Sequence, residues 1–440
     1  MKLRIIILLN VVFFNATAQI WQPFKNRFYN PAINDVIEFN SQIVIGGSFL
    51  ADSLYLNNIA RWDGSDWQPF AQGMMGGINT MTIFNNQLYA GGGYLTIPNL
   101  TNPGKIVRWD GVAWNKLNNG VTSGAEIYTM CEFGGSLYIG GRFTEVDGIP
   151  ANNLARWDGT SWYSVANISG TFPRVSAMVV YNNELYVGGY FEFVNGISMV
   201  NIAKYNGTIW SDVDMGVNSN VIAMVVDSVN NRLYAAGNFT GCIGSGMLFP
   251  TNVAYWDGMT WHGVGTNPSI NPRALCFYKN SLYAGFSFEA IKANNDTLKY
   301  IAKWDGNEWQ SVNKGVNDNV IELKVLNGMF IVAGSFTQAG DSSVNYVAAY
   351  TDTTTSVHEL NTVKQEITIT PNPTKNSISV TSPVAVSAYS ITSPTGQIIK
   401  KQNQKPLKEF SVDTSTLPNG LYIFTASMGK QLVSIKFAKE

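Results

Sequence analysis

The stretches Leu88-Tyr89-Ala90-Gly91-Gly92 and Trp109-Asp110-Gly111-Val112-Ala113-Trp114 decide the fold of this 440-residue chain, because variants of both recur along most of its length. The aromatic-Asp-Gly turn returns at spacings of 47, 48, 48, 51, 48 and 46 residues, with its aromatic residue at Trp62, Trp109, Trp157, Tyr205, Trp256, Trp304 and, in degenerate form, Tyr350. The Leu-Tyr-x-Gly-Gly motif and its variants begin at Ile43, Leu88, Leu137, Leu185, Leu233, Leu282 and Phe330. The chain therefore carries seven repeats of about 48 residues.

Each repeat has the pattern of four short strands. In the second repeat these are residues 79–84, 87–94, 105–109 and 113–117. Asn85-Asn86 supplies a tight turn between the first two strands, since Asn accepts the positive φ that such turns require. Alternating apolar residues suit sheets that neighbours cover on both faces. Four-stranded repeats of this period are typical of a β-propeller, so we predict an all-β fold with a seven-bladed β-propeller over residues 19–351.

The outer strand of the seventh repeat is missing from its expected place. In six repeats a Trp follows the Gly of the turn by three residues, at Trp67, Trp114, Trp162, Trp210, Trp261 and Trp309, but none follows Tyr350. Trp21-Gln22-Pro23-Phe24 repeats Trp67-Gln68-Pro69-Phe70 residue for residue. We therefore expect residues 20–24 to supply the missing strand and close the ring by pairing the two ends of the propeller in one blade.

Charge and composition exclude several classes of function. The chain has 29 Lys and Arg against 30 Asp and Glu, which argues against a basic protein that coats nucleic acid. Hydrophobic residues make up 45% of the chain, enough to bury a core, so extensive disorder is not expected. Only two His and three Cys are present, which argues against a His-rich metal site and a Cys-ligated zinc site. We expect no metal and no cofactor.

The N-terminus has the pattern of an export signal. A basic start, Met1-Lys2-Leu3-Arg4, precedes an apolar run over residues 5–14, and Ala16-Thr17-Ala18 gives the small-x-small cleavage pattern. The apolar run is about half the length that a membrane helix needs, and no later segment is long and apolar enough to span a bilayer. We predict a signal peptide over residues 1–18, cleavage after Ala18, and a mature chain without a transmembrane segment.

The composition changes after Tyr350. A polar linker is expected at residues 352–361. Residues 362–440 hold nine Lys, no Arg and four acids, whereas the residues before them carry 20 basic and 26 acidic side chains. No repeat motif occurs in this last segment. Its short strand patterns, separated by Pro-Asn, Thr-Gly and Asn-Gly turns, predict a small β-sandwich over residues 362–440.

Two motifs distinguish the C-terminal segment. They are a Pro-Asn-Pro motif and a Leu-Pro-x-Gly-x-Tyr motif, formed by Pro371, Asn372, Pro373, Leu417, Pro418, Gly420 and Tyr422. With these motifs the segment resembles the type A sorting domain of the type IX (Por) secretion system of Bacteroidetes. The resemblance implies passage through the periplasm to the outer cell surface or the medium, with the type IX machinery as a partner. The alternative is an ordinary small β-domain that binds a sugar or another protein.

The repeats themselves resemble known propellers in two respects. The aromatic-Asp-Gly turn resembles the Asp-box of sialidases, where the turn is structural, and the two aromatic residues that flank it here are expected to pack across the hairpin. The Gly-Gly pairs resemble those of Kelch and galactose-oxidase-like propellers, at the level of architecture only. Neither the arginine triad of sialidases nor the copper site of galactose oxidase can be placed, so neither activity is carried over.

Departures from the repeat pattern mark the candidate ligand site, because the fold alone does not require them. The loops before the first strands carry five such residues, Arg27, Tyr29, Phe172, Arg174 and Arg273. The loops between the second and third strands add aromatic residues such as Phe288. Guanidinium groups beside aromatic rings suit an acidic or carbohydrate ligand, through forked hydrogen bonds and stacking. The alternative is that these side chains only pack and solvate the loops.

Two carboxylates occupy a first-strand position that is apolar in other repeats. Glu38 and Glu132 stand where the other repeats carry residues such as Ile83 and Val180. A carboxylate at such a position is a candidate for burial with a raised pKa, as a general acid needs. The alternative is a hydrogen-bonded or edge-exposed Glu in each case.

The sequence thus favours a surface-displayed or secreted binding protein with a carbohydrate or protein ligand. The repeats are regular and no convergent catalytic set can be placed, which favours binding over catalysis. The first alternative is a secreted carbohydrate-active enzyme, a hydrolase or lyase, with two carboxylates converging at the channel mouth. The second is a structural component of the cell surface, which an exposed apolar patch on one face of the ring would support.

Overall fold

The structure, a computed structural model, describes residues 19–24, 28–51, 57–249, 252–265, 272–292, 295–352, 368–392, 398–428 and 431–440. Strands and turns make up these residues, and no helix occurs among them. The chain divides into two compact units after Thr354, and each unit is described by itself. No helix long and apolar enough to cross a membrane is found in the described residues. The predicted signal peptide, at residues 1–18, lies outside the described residues.

The first unit contains seven large antiparallel sheets, numbered here by the order of their first strands, and three small sheets of two or three short strands. Each large sheet is built around four strands, and each strand pairs with the next in the order given below. Sheet 1 consists of Phe28–Phe39, Gln42–Ala51, Ile59–Trp62 and Trp67–Pro69. Sheet 2 consists of Ile78–Phe84, Gln87–Gly92, Ile106–Trp109 and Trp114–Lys116, and sheet 3 of Val121–Phe133, Ser136–Val146, Leu154–Trp157 and Trp162–Ser164. Sheet 4 consists of Arg174–Tyr181, Glu184–Tyr190, Ile202–Tyr205 and Trp210–Asp212. Sheet 5 consists of Val221–Asp227, Arg232–Gly237, Val253–Trp256 and Trp261–Gly263. Sheet 6 consists of Pro272–Tyr278, Ser281–Phe286, Ile301–Trp304 and Trp309–Ser311. Sheet 7 consists of Val320–Leu326, Met329–Gly334, Val347–Asp352 and Gln19–Pro23.

Eight two-residue strands lie between the longer ones. They are Ile149–Pro150, Ile168–Ser169, Phe193–Val194, Ile197–Ser198, Ala290–Ile291, Thr297–Leu298, Gln338–Ala339 and Ser342–Ser343.

The sheets pack on one another through their first strands in a closed cycle. The first strand of each sheet contacts that of the next, and the first strand of sheet 7 contacts that of sheet 1. In every second strand the five residues that follow the first are buried, as they are after Gln87 in Gln87–Gly92. Burial of consecutive residues means that both faces of the sheet are covered, as the predicted packing between neighbouring repeats requires.

The predicted pairing between the two chain ends of this unit is present. Gln19–Pro23 runs antiparallel to Val347–Asp352, with Trp21 opposite Tyr350. The Trp21 side chain is 5% exposed, its ring centroid lies 4.8 Å from that of Tyr350, and its Nε1 donates to the Asn313 carbonyl at 3.1 Å. The N-terminal strand therefore completes sheet 7 and supplies the Trp that the seventh repeat lacks.

The aromatic-Asp-Gly turns join the third and fourth strands, as predicted. Asp63 Oδ1 accepts the backbone N–H groups of Ser65 and Asp66 at 2.8 Å each, and these hydrogen bonds hold the pKa of Asp63 at about 2. The flanking rings contact each other across every such hairpin with centroids 4.8–5.6 Å apart, in the pairs Trp62–Trp67, Trp109–Trp114, Trp157–Trp162, Tyr205–Trp210, Trp256–Trp261 and Trp304–Trp309. The turn is thus a packing device of the repeat.

A β-bulge interrupts the first strand of every sheet at the same register. One extra residue stands between two residues that pair with consecutive residues of the second strand, at Asn34, Asn79, Tyr128, Ser176, Ile222, Arg273 and Ile321. The second Gly of the Gly-Gly motif lies opposite the bulge. A Cβ on Gly189 would lie 2.1 Å from the Arg174 carbonyl oxygen, so the close backbone approach at the bulge requires glycine.

The second unit is one five-stranded sheet, where the sequence predicted a sandwich of two sheets. Its strands are Thr368–Thr370, Ser377–Thr392, Ile398–Asp413, Gly420–Met428 and Gln431–Lys439. The 16-residue second strand pairs with the third along its length, and its two halves pair with the first and the fourth. A bridge between Thr374 and Lys439 joins the remaining edges and makes the sheet barrel-like. Such a long strand belongs to both halves of the unit, which is why two separate sheets do not form.

Candidate functional site

The strongest candidate site is a cleft of about 890 Å³ beside the first strands of sheets 3 to 6. Its lining combines three arginines with aromatic and small polar side chains: Tyr128, Arg142, Phe172, Arg174, Ser176, Tyr190, Ser219, Asn220, Ile222, Asn238, Arg273, Ser287 and Phe288. Phe172 and Phe288 are exposed, with 63% and 55% of their surface accessible. A concave site of this size, with a few charged groups and exposed rings, suits a small or oligomeric ligand.

The structure brings together three of the five residues that the sequence singled out for ligand binding. Phe172, Arg174 and Arg273 line this cleft, although almost 100 residues separate the last two. Tyr29 lies on the first strand of sheet 1, opposite Leu50, and Arg27 lies outside the described residues.

Sequence reasoning missed Arg142 and Tyr190, because both belong to second strands rather than to the loops that were searched. The signal that could have found them is their place directly after the Gly-Gly pairs Gly140-Gly141 and Gly188-Gly189.

The guanidinium groups of the cleft have aromatic and hydroxyl neighbours. Arg174 lies over the Tyr190 ring, 5.3 Å from its centroid, and Arg273 Nη1 is 3.4 Å from Ser287 Oγ, to which it donates. No carboxylate of the described residues lies within ion-pair distance of Arg142, Arg174 or Arg273. The three positive charges are therefore available to a ligand.

A central channel of about 670 Å³ continues from the cleft. The first strands of all seven sheets contribute to its wall, including every bulge residue, and it shares Tyr128, Ser176, Ile222 and Arg273 with the cleft. The shared residues make the cleft the mouth of the channel. Burial and the charge of Glu126 raise the pKa of Tyr128, although Arg142 and Arg174 act in the opposite direction.

An ion cluster lies in the channel where sheets 7 and 1 meet. Lys324 Nζ is 3.2 Å from Asp35 Oδ1 and 3.7 Å from Glu322 Oε1, while Asp35 Oδ2 accepts the backbone N–H of Met81. Burial raises the pKa of Glu322 to about 8, with Lys324 opposing the shift and Asp35 adding to it. Burial lowers the pKa of Lys324, but the two carboxylates outweigh that effect and the net shift is upward.

Neither Glu38 nor Glu132 is buried in the structure, which agrees with the alternative of a hydrogen-bonded or edge-exposed Glu. Glu132 is exposed and Glu38 is half-buried, since both lie near the end of the first strand, next to the turn into the second. With the Asn327 amide turned so that its nitrogen faces Glu38, this nitrogen donates to both carboxylate oxygens at 3.0 and 2.9 Å. Two carboxylates that line the channel are instead Asp35, which is 5% exposed, and Glu322, whose side chain is 25% exposed.

The residues of the two C-terminal motifs tie strand ends together. Asn372 Oδ1 accepts the backbone N–H of Ala438 at 2.9 Å. The Tyr422 hydroxyl donates to the Pro418 carbonyl at 2.7 Å, and its ring stacks on Phe437 with centroids 5.7 Å apart. The remaining motif residues are Pro371, Pro373, Leu417 and Gly420, of which Leu417 is buried in the core of this unit.

No group of three or more His, Cys, Asp or Glu side chains that could hold a metal ion occurs in the part of the chain that the structure describes. Cys131, Cys242 and Cys276 are free thiols, and burial raises the pKa of Cys276 to about 12.

Comparison with solved structures finds distant similarity. PorZ, an essential bacterial surface component of the type IX secretion system of Porphyromonas gingivalis, aligns with 93% of this chain at 13% identity and a TM-score of 0.42, and the chain spans 59% of the PorZ structure. The computationally designed protein Ika8 aligns with 75% of this chain at 13% identity and a TM-score of 0.46, over 99% of its own length. The extracellular domain of BT3049 from B. thetaiotaomicron aligns with 92% of this chain and 68% of its own length, at 13% identity and a TM-score of 0.24.

No curated protein matches the chain. Residues 368–440, which span the described strands of the second unit, match the family described as the secretion system C-terminal sorting domain. This match indicates that the type IX machinery handles the chain and delivers it to the outer cell surface or the extracellular space.

Proposed function

We propose that the seven-sheet unit is a seven-bladed β-propeller that binds a carbohydrate at the mouth of its central channel. In this proposal residues 1–18 are a signal peptide, 19–351 the propeller, 352–361 a linker and 362–440 the export tag. The closed cycle of seven sheets, each beginning at the channel, supports the propeller. No catalytic residue is assigned.

The observation that carries the binding proposal is the convergence of Phe172, Arg174 and Arg273 in one cleft of about 890 Å³. Exposed aromatic rings are costly in water and form the stacking surfaces on which sugar rings bind. The bulge at Arg273 supports the proposal as well, because the bulge residue of every sheet lines the channel and that of sheet 6 also lines its mouth.

The test is a glycan-array screen of the full exported chain, followed by titration of the strongest hit. Phe172→Ala and Phe288→Ala should each weaken binding about tenfold, since each removes a stacking surface. Phe193→Ala is the matched control, because Phe193 is an exposed ring (39%) outside the cleft. A blank array, or equal loss in all three variants, would refute a carbohydrate site at the channel mouth and leave a protein ligand as the alternative.

A second candidate function is carbohydrate hydrolysis, and the ion cluster favours it over other enzymatic activities. Asp35 and Glu322 approach the same Lys324 ammonium, at 3.2 and 3.7 Å, so the two carboxylates converge in the channel. The pKa of Glu322, raised to about 8, would leave this residue protonated near neutral pH, as a general acid must be. Release of reducing sugar from a bound glycan, abolished in Glu322→Gln, would establish this activity; a glycan that binds and stays intact would exclude it for that glycan.

A further inference from the structure

We infer that the ligand of the channel mouth is an acidic carbohydrate whose carboxylate or sulfate groups bind Arg142, Arg174 and Arg273. This inference rests on the proposed function and specifies its ligand class. It is carried by three guanidinium groups that line one cleft and have no carboxylate of the described residues within ion-pair distance.

The three arginines come from different sheets. Arg142 lies on the second strand of sheet 3, Arg174 begins sheet 4 and Arg273 is the bulge residue of sheet 6. Residues 266–271, immediately before Arg273 in the sequence, contain no Asp or Glu. Like charges gathered around one cavity repel one another, so the arrangement is unfavourable until an anion occupies it.

Three lysines of the same unit, by contrast, are paired with carboxylates. Lys204 lies 2.8 Å from Glu184, Lys303 lies 2.9 Å from the buried carboxylate of Asp352, and Lys324 binds Asp35. The residues before position 362 also carry a net negative charge, with 20 basic and 26 acidic side chains. The gathering of three arginines in one cleft therefore does not reflect an excess of basic residues in this part of the chain.

The chemistry of the cleft distinguishes an acidic sugar from other anions. A guanidinium group binds a carboxylate or sulfate through two parallel hydrogen bonds, which a lysine cannot do. The rings of Phe172, Tyr190 and Phe288 add flat surfaces for sugar rings. A volume of about 890 Å³ lies in the range of sites for small molecules and short oligomers, whereas an acidic protein partner would need a larger and flatter surface.

The channel beneath the mouth limits how deep an anion can enter. Asp35, Glu126 and Glu322 line its wall, and Glu126 Oε2 already accepts a hydrogen bond from Asn79 Nδ2 at 2.8 Å. The Glu126 carboxylate repels an anionic group, whereas Asp35 is paired with Lys324 and Glu322 is protonated near neutral pH. The ligand should therefore bind at the arginine level and leave the deeper channel to water.

The experiment titrates the full exported chain with tetragalacturonate, a sulfated tetrasaccharide and neutral galactotetraose. We expect at least one acidic sugar to bind at least about tenfold more tightly than the neutral one, and the better of the two identifies the anionic group. Raising the ionic strength from about 0.05 to about 0.5 M should weaken this binding severalfold, because screening acts on the charge contacts. This comparison needs no variant and so does not depend on the folding of any mutant.

Variants locate the site. Arg174→Gln and Arg273→Gln should each reduce affinity for the acidic sugar about tenfold and reduce affinity for the neutral sugar less, because only the acidic sugar loses a charge contact. Arg156→Gln is the matched control, since Arg156 also lies over a tyrosine ring, that of Tyr163 at 4.1 Å, but outside the cleft. Equal affinity for neutral and acidic sugars would overturn the inference while the carbohydrate proposal stands; no binding to any sugar, including those of the array, would overturn both.

Discussion

The carboxylates of Glu322 and Asp35 both lie near the ammonium group of Lys324. Protonation of Glu322 is linked to the stability of the seven-sheet unit. The folded protein holds its proton up to a pH of about 8, against 4.5 for an ordinary Glu. Between these values the folded state binds a proton that the unfolded state has released. The free energy of unfolding must therefore fall as the pH rises through this window.

We predict that Glu322→Gln removes this loss of stability. The melting temperatures of wild type and variant should be similar near pH 5 and diverge toward about pH 9, where the variant melts higher, because Gln mimics the protonated acid. Thermal unfolding followed by circular dichroism across this range is the measurement. Glu132→Gln is the control, since it removes an exposed carboxylate from another first strand. Wild-type and Glu322→Gln curves that remain parallel throughout would show that Glu322 does not carry the linkage.

The same residues show what the sequence could not predict about the channel. Glu38 and Glu132 occupy equivalent positions, as expected, but that position lies near the turn between the first and second strands, where solvent reaches it. Asp35 of sheet 1 and Glu322 of sheet 7 also occupy equivalent positions, and these two sheets contact each other. Their place in the channel wall depends on the bulge one residue earlier. The bulge position carries different residue types in different repeats, so the sequence does not reveal it.

At the level of the strand, the N-terminal segment contributes stability out of proportion to its five residues. We predict that Trp21→Ala lowers the free energy of unfolding of the seven-sheet unit by about 3–5 kcal/mol, the range for deletion of a buried Trp side chain. Denaturant unfolding followed by fluorescence measures the loss. Ile20→Ala is the control on the same strand, because Ile20 is 44% exposed and its truncation should change stability by less than about 0.5 kcal/mol. Equal effects of the two substitutions would contradict closure through Trp21.

The bulge of the first strand links the Gly-Gly motif to the ligand site. We predict that Gly189→Ala lowers the free energy of unfolding by about 3 kcal/mol and weakens ligand binding, because its Cβ would lie 2.1 Å from the Arg174 carbonyl oxygen and displace that arginine. Calorimetric melting and titration with the ligand measure the two effects. The control is Gly263→Ala, whose Cβ would meet a side-chain atom, Phe249 Cδ1, at 3.3 Å and needs only a small adjustment. Unchanged ligand binding in Gly189→Ala would show that the geometry at the bulge does not position the ligand site.

Strand boundaries followed from the sequence to within two residues in the second repeat, where residues 79–84 and 105–109 were expected and Ile78–Phe84 and Ile106–Trp109 are found. The turns made this possible, since Asn85, Asn86 and Gly111 have positive φ and end the strands on either side. The C-terminal unit has less regular turns and two 16-residue strands, and there the arrangement of sheets was not predicted.

At the scale of the whole molecule, the two units of the chain differ in charge as well as in fold. The C-terminal 79 residues have nine Lys and four acids, and the rest has an excess of acids, so the unit that matches the sorting domain also differs in its electrostatics. The ligand cleft lies entirely in the seven-sheet unit and the export motifs entirely in the other. Binding and export should therefore be separable by mutation.

We predict that removal of residues 362–440 retains the protein in the periplasm of a host with a type IX system, while the full chain reaches the cell surface or the medium. Cell fractionation and immunodetection measure the distribution. Tyr422→Ala should reduce export as well, because it removes both the hydrogen bond to the Pro418 carbonyl and the stacking on Phe437, whereas Leu421→Ala, at a position 61% exposed on the same strand, should leave export unchanged. The melting temperature of the seven-sheet unit, measured on the retained protein, should equal that of the exported chain, so that loss of export cannot be attributed to unfolding. Normal appearance of the truncated protein outside the cell would show that the sorting domain is not what directs it there.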